Sequence, residues 1–160
     1  MSDMLVRLYA IEYPFNQDLT SQGISIKRGS VVDKDAILGF IRQEFPEATG
    51  WIGECEYALF NRSCWIAVRD HQIIGFACYD ATAKGFFGPT GVAQSQRGHG
   101  IGLELLLRAL WSMREAGYAY AIIGWAATDA ISFYERAVGA TLIEDSTPDK
   151  TIYWNLAEVD

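Results

Sequence analysis

The chain has 160 residues, of which 50% are hydrophobic and 13% aromatic, and its net charge is −7. That length suits one domain over residues 1–160, able to bury roughly 70% of its unfolded surface, and that composition excludes a disordered chain. The acidic balance, with the 13 Lys and Arg scattered, excludes nucleic-acid binding, which needs a basic stripe.

In chain order, Met4–Ala10 alternates as a strand and Ile24–Lys27 as a second, joined by the polar stretch Asn16–Gly23. Ser30 and Asp33 are helix-start residues, and Ile37, Phe40, Ile41 and Phe45 then recur at helical spacing until Pro46. Gly50–Asn61 reads as a second helix, with Trp51, Cys55 and Leu59 on one face. Ser63–Val68 and Gln72–Tyr79 are strands about the turn Arg69-Asp70-His71. Phe86–Val92 is a strand whose Pro89 has no N–H for a ladder and whose Gly91 weakens one, so a bulge or a splay is expected.

From about Gly100 to Ala116 a helix follows. Its apolar stripe is Ile101, Leu105, Leu106, Ala109, Leu110 and Met113, and Gly117 stands at the C′ position. Tyr118–Trp125 is almost wholly apolar and reads as a strand buried on both faces. Thr128 or Asp129 caps a short helix to about Val138, closed by Gly139, and Ala140–Glu144 and Thr151–Asn155 are the last strands. The order is ββααβββαβαββ. Short turns make the early strands antiparallel, while the central strand, helix and strand predict a parallel crossover. The expected fold is mixed α/β, with helices on both faces of the sheet.

No apolar run reaches the roughly 18 residues of a membrane span, and Met1–Glu12 lacks the pattern of a signal peptide. A cytoplasmic protein without membrane contact is expected. Cys55, Cys64 and Cys78 show no CxxC spacing, and His71 and His99 stand far apart. Free buried thiols and no metal site follow.

The segment Val92-Ala93-Gln94-Ser95-Gln96-Arg97-Gly98-His99-Gly100-Ile101-Gly102 lies between an apolar strand and an apolar helix. Glycines let the chain turn tightly and let a ligand reach main-chain N–H groups. A helix N-terminus with free N–H groups is an anion site, and phosphate is the usual anion. A P-loop is excluded, because no Lys-Ser/Thr pair follows Gly102. A dinucleotide loop fits poorly, since the spacing is GxGxG in mid-chain with no acidic residue at the end of the next strand. The third pattern, R/Q-x-x-G-x-G/A, is met by Arg97-Gly98-His99-Gly100-Ile101-Gly102.

This segment resembles motif A of the GNAT superfamily of acyl-CoA-dependent N-acetyltransferases, although Gln94 stands where Pro is common. Phe133-Tyr134-Glu135-Arg136-x-Val138-Gly139-Ala140 resembles motif B, and the likeness covers roughly Val31 to Ile143. The resemblance implies a largely antiparallel sheet with a central parallel strand pair. It implies acetyl-CoA as co-substrate, direct acyl transfer to an amine and no metal. Backbone N–H groups from Arg97 through Gly98, His99, Gly100 and Ile101 to Gly102 would receive the pyrophosphate. Val92 and Ala93 would pair with the pantetheine arm, and a main-chain N–H near Val92 would polarise the thioester carbonyl. Tyr134 matches the general acid that protonates the leaving thiolate. His99 occupies the variable position of the loop.

Two departures stand out. Ala127 replaces the Asn that many relatives carry before motif B, and Phe86–Val92 holds no carboxylate to act as general base. Glu54, Glu56 or Asp80 acting through water, or solvent itself, remain open for that task. The acceptor is expected between the early helices and the last strands, near Trp51, Glu54, Glu56, Tyr57, Phe60 and Tyr13. Aromatic rings with carboxylates suit an amine that arrives as a cation, either a small molecule or a peptide amine. A non-catalytic acyl-CoA-binding or sensing protein of the same fold is the rival reading. Ile152–Trp154 offers an apolar end strand for a homodimer.

Overall fold

The computed structural model describes residues 1–12, 19–147, 150 and 152. Its strands are β1 (Ser2–Arg7), β2 (Ile24–Arg28), β3 (Cys64–Arg69), β4 (Gln72–Tyr79), β5 (Phe86–Val92), β6 (Tyr120–Ala126) and β7 (Thr141–Leu142). Its helices are α1 (Lys34–Glu44), α2 (Gly50–Phe60), α3 (Ile101–Glu115) and α4 (Ile131–Val138).

Connection length sets strand direction. β3 returns as β4 through Asp70 and His71, both at positive φ, so the two strands run antiparallel, as do β2 with β3 and β4 with β5. The whole of α3 separates β5 from β6, and these two pair in parallel. The sheet order is β2-β3-β4-β5-β6-β1-β7. It is a mixed, largely antiparallel sheet with one parallel pair near its centre.

β1 departs from the expected antiparallel start. It does not pair with β2 but lies across the sheet, antiparallel to β6 and β7. Met4, Val6 and Leu8 are fully buried there, beside Ala121 and Ile123. Burial beside β6 decides the pairing, and alternation within β1 alone carries no information on its neighbour. Leu8–Ala10 is a 3-10 turn rather than more strand, anchored by the Leu8 N–H on Ala119 O at 3.0 Å. β6 is buried on one face only: Ala121, Ile123 and Ala126 point into the core, whereas Tyr120 and Trp125 are about half exposed. The Tyr120 ring instead meets Tyr9 edge-on at 5.9 Å. β7 is shorter than Ala140–Glu144, and the strand expected at Thr151–Asn155 lies outside the described residues, apart from Ile152, which is exposed.

Two cores sandwich the sheet. On one face α3 buries Ile101, Leu105, Leu106, Ala109, Leu110 and Met113 to at most 1% exposure against Ala67, Ala77, Phe87, Ala121 and Ile123. Each of the larger side chains contributes roughly 1.5–3 kcal/mol by leaving water. α3 ends as its sequence dictates. The Gly117 N–H donates to Arg114 O and the Tyr118 N–H to Met113 O, with Gly117 at φ 103°. The Phe133 and Tyr134 rings of α4 pack against this same core.

On the other face α1 and α2 cover Ile66 and Phe76. Neighbouring residues on one strand point to opposite faces, which explains why Ile66 and Ala67 belong to different cores. Cys55, Cys64 and Cys78 sit in the α1–α2 core as free, buried thiols. Hydrogen bonds from Cys64 and then Cys78 hold the Cys55 thiol below its usual range. The Cys64 thiol is pushed up by its hydrogen bond to Cys55, and that of Cys78 by burial. Among the described residues, no helix is long and apolar enough to cross a membrane.

Candidate functional site

β5 and β6 pair only at Phe86 with Ile122 and Phe87 with Ile123. Beyond Phe87 the two strands part. On the β4 side, Ala77 faces Thr90 and Tyr79 faces Phe87, so β5 carries one extra residue around Gly88-Pro89. This is the expected bulge, at the proline that cannot join a ladder.

The ladder also fixes which way the backbone of β5 points. The Ala93 N–H donates to Ile74 O at 2.9 Å, so residues 74 and 93 form a hydrogen-bonded pair. Gly75 and Val92 are then a non-bonded pair, and the N–H and C=O of Val92 turn away from β4 into the gap beside β6. The Val92 carbonyl there accepts a hydrogen bond from Arg97 Nε at 3.3 Å.

Behind the gap stands Phe45. A Cβ on Gly91 would lie 2.5 Å from Phe45 Cζ, so only glycine lets the ring rest against this stretch of β5. Phe45 in turn packs on Trp51, with ring centroids 5.2 Å apart, and on Phe76.

The glycine loop closes one end of the gap. Gly98 at φ 87° and Gly100 at φ 81° take the left-handed turn that L-residues resist. The turn delivers the chain to α3, whose first N–H groups have no partner within the helix. A cavity of about 630 Å³ results, within the range of small-molecule sites. Its walls are Phe87, Thr90, Gly91 and Val92 of β5, the loop residues Gln96, Arg97, Gly98 and Gly100, Ile101, Gly102, Leu103 and Leu106 of α3, and Ala130, Phe133 and Tyr134. Tyr134 is half-buried, and burial alone raises its phenol to about 12. The hydroxyl therefore holds its proton throughout the neutral range.

The sequence-predicted cofactor residues thus gather on one cavity, with two exceptions. Ala93 is buried and its N–H is taken by Ile74 O, so it does not line the wall. His99 is exposed, with Nδ1 3.1 Å from Gln22 Oε1, which fits its variable place in the loop. Trp51, Glu54 and Tyr57 all lie on α2 and outside the cavity wall. Trp51 is one ring removed from it, through Phe45. The carboxylate of Glu54 accepts the Thr82 hydroxyl at 2.6 Å. Tyr57 is 55% exposed and Phe60 65%, while Tyr13 lies outside the described residues. Glu56 pairs with Lys34 at 3.4 Å, and Asp80 accepts the Gly85 N–H at 2.7 Å.

Sequence reasoning missed several wall residues. Leu103 and Leu106 were hidden among the apolar residues of α3. Gln96, whose amide oxygen accepts from Arg69 Nη1, carried no signal of its own.

Residues 31–140 match the model of the Acetyltransferase (GNAT) family. A search of curated proteins returns no match. Among solved structures, the GCN5-related N-acetyltransferase from Sphaerobacter thermophilus has 22% identity and a TM-score of 0.65, over 89% of this chain and 48% of that one. A GNAT family acetyltransferase from Brucella melitensis, solved in complex with acetyl-CoA, has 17% identity and a TM-score of 0.56, over 78% of this chain and 91% of that one. The glucosamine N-acetyltransferase region of a fungal multi-domain β-N-acetylglucosaminidase has 15% identity and a TM-score of 0.67, over 89% of this chain and 19% of that one. The chain thus spans about half the length of the Sphaerobacter protein and about a fifth of the fungal one. These likenesses concern the fold. The family match covers more than half of the sequence and includes the glycine loop and the Phe133-Tyr134 pair, and on that ground the chain belongs to the GNAT family of acetyltransferases.

Proposed function

We propose that this chain is an N-acetyltransferase that moves the acetyl group of acetyl-CoA directly onto an amine, with Tyr134 as general acid. One observation carries the reading: a single cavity joins the glycine loop, the outward-facing main chain of Val92 and the Tyr134 ring. The Brucella relative, solved with acetyl-CoA, supports the choice of co-substrate.

Each part has a physical task. The N–H groups of Gly98 through Gly102 and the α3 dipole receive the pyrophosphate, while that of Arg97, expected among them, donates instead to Gln94 O at 3.4 Å. The Val92 main chain pairs with the amide-bearing arm, which requires Arg97 to release the Val92 carbonyl. The Val92 N–H faces the thioester oxygen as negative charge develops there, and a fixed donor of this kind is worth ~3 kcal/mol. The amine nitrogen bonds to the carbonyl carbon, the carbon–sulfur bond breaks, and the phenol proton of Tyr134 passes to the leaving sulfur. A phenol near 12 is a weak acid beside a thiol of about 8.5. The same apolar walls, however, raise the proton affinity of a thiolate leaving into them.

The acceptor side lies across Gly91, where Phe45 and Trp51 stand with Glu54 further along α2. Rings and carboxylates on a chain of net charge −7 favour a cationic amine. No carboxylate lies on β5, so the amine loses its proton to water or, through water, to Glu54 or Asp80. The test is thiol release from acetyl-CoA over a panel of small and peptide amines. Amine-dependent release that falls with Tyr134→Phe supports the reading. Tight CoA binding with no release for any amine supports a sensor instead.

A further inference from the structure

On the α1–α2 face of the sheet, away from α3 and the cavity, three sulfurs meet. Cys55 comes from α2, Cys64 opens β3 and Cys78 lies near the end of β4. Cys64 and Cys78 are direct cross-strand partners. Because the Tyr79 N–H donates to Ser63 O at 2.9 Å, theirs is the non-bonded pair, in which side chains stand closest. Cys55 descends on that pair from the helix. The three Sγ atoms lie within 4.8 Å of one another, and all three residues are 0% exposed.

The donor set is pure sulfur. The residues packed around it include Ile37, Ile41, Leu59, Ile66 and Phe76; among the described residues no His, Asp or Glu joins the three sulfurs as a fourth ligand, and the Asp33 carboxylate acts on Cys64 through its charge. Three sulfurs bonded at ~2.3 Å to one pyramidal central atom stand about 3.5 Å apart, so sulfurs already within 4.8 Å of one another need to draw together only modestly. Soft ligands without a hard partner select a soft ion. Charge narrows the choice further. Three thiolates with a divalent ion leave a net −1, and with a univalent ion −2, in an apolar core where unpaired charge is costly. Only a trivalent centre leaves the site neutral.

We propose that Cys55, Cys64 and Cys78 form a buried tris-thiolate site for a trivalent thiophilic metalloid, of which arsenite is the simplest probe. As(OH)3 reacts with the three thiols to give three As–S bonds. Three As–O bonds break, three waters leave with the thiol protons, and no electron changes hands. Entry requires α2 to lift from the sheet. Once filled, the site ties α2 to β3 and β4.

The test incubates the reduced full chain with sodium arsenite, removes the excess by gel filtration, and measures retained arsenic and the melting temperature. One arsenic per chain and a raised melting temperature are expected, with retention at least tenfold weaker in each of Cys55→Ala, Cys64→Ala and Cys78→Ala. X-ray absorption on the wild-type adduct decides the matter even where a variant fails to fold. Three sulfur neighbours and no oxygen support the site. Two sulfurs and an oxygen, retention equal to that of Cys55→Ala, or preference for Zn(II) at equal concentration overturns it.

Discussion

The two faces of the sheet are built on opposite principles. On the α3 face the site is made largely of main chain: the glycine loop, the N-terminus of α3 and the outward edge of Val92, with Tyr134 as the side chain proposed to act as acid. On the α1–α2 face the features are side chains drawn from distant segments, namely Phe45 against Gly91 with Trp51 and Phe76 packed on its ring, and three cysteines from α2, β3 and β4. The lesson is that backbone chemistry is local in sequence and tolerant of side-chain change, whereas side-chain chemistry depends on packing between elements. Gly91 is where the two meet, since it lines the cavity on one side and carries the Phe45 ring on the other.

Substitutions that join or separate the faces should therefore rank in a definite order. Gly91→Ala places a methyl 2.5 Å from Phe45 Cζ. Overpacking of this kind costs about 2–3 kcal/mol, and the displaced β5 should lower kcat/KM on the order of 100-fold. Chemical denaturation and steady-state kinetics measure both effects. Adding Phe45→Leu should restore part of each, and failure of that rescue would break the link between the faces.

Gly100→Ala acts on the α3 face alone. A left-handed alanine at φ 81° costs about 1–2 kcal/mol, and the KM for acetyl-CoA should rise severalfold while the KM for the amine is unchanged. Glu54→Gln acts on the α2 face alone. The amide oxygen still accepts from Thr82, so stability holds, while the KM for a cationic amine rises about threefold to fivefold, the scale of a half-exposed charge pair. An equal rise for acetyl-CoA would contradict the separation of roles. His99→Ala should change stability by less than ~0.5 kcal/mol and leave acetyl-CoA kinetics within about twofold.

The same contrast explains what was legible in the sequence. The loop from Arg97 to Gly102 was readable because spacing, glycine content and an adjacent apolar helix all lie within one stretch. The helical stripe of α3 and the Gly117 stop were readable for the same reason. The pairing of β1 was not, because Met4, Val6 and Leu8 state only that one face is buried. Nor was the exposure of Tyr120 and Trp125, since an apolar side chain does not say whether anything covers it. Phe45 carried a helical signal and nothing that pointed to Gly91. Cys55, Cys64 and Cys78 lacked any metal spacing, and only antiparallel register and the seat of α2 bring them together.

The central claim is that Tyr134 donates a proton within a site otherwise built largely from main chain. Single-turnover acetyl transfer by Tyr134→Phe, with CoA affinity measured in parallel, tests it most directly. The rate should fall at least about 100-fold, the scale of one positioned acid, with the Kd for CoA within about twofold. Wild-type stability should also be full below pH 10 and decline as pH rises from 10 towards about 12, because the folded phenol resists an ionisation that the unfolded chain allows. Tyr134→Phe should lack that component of the decline. An unchanged transfer rate, or a rate loss matched by lost CoA binding, would contradict the account.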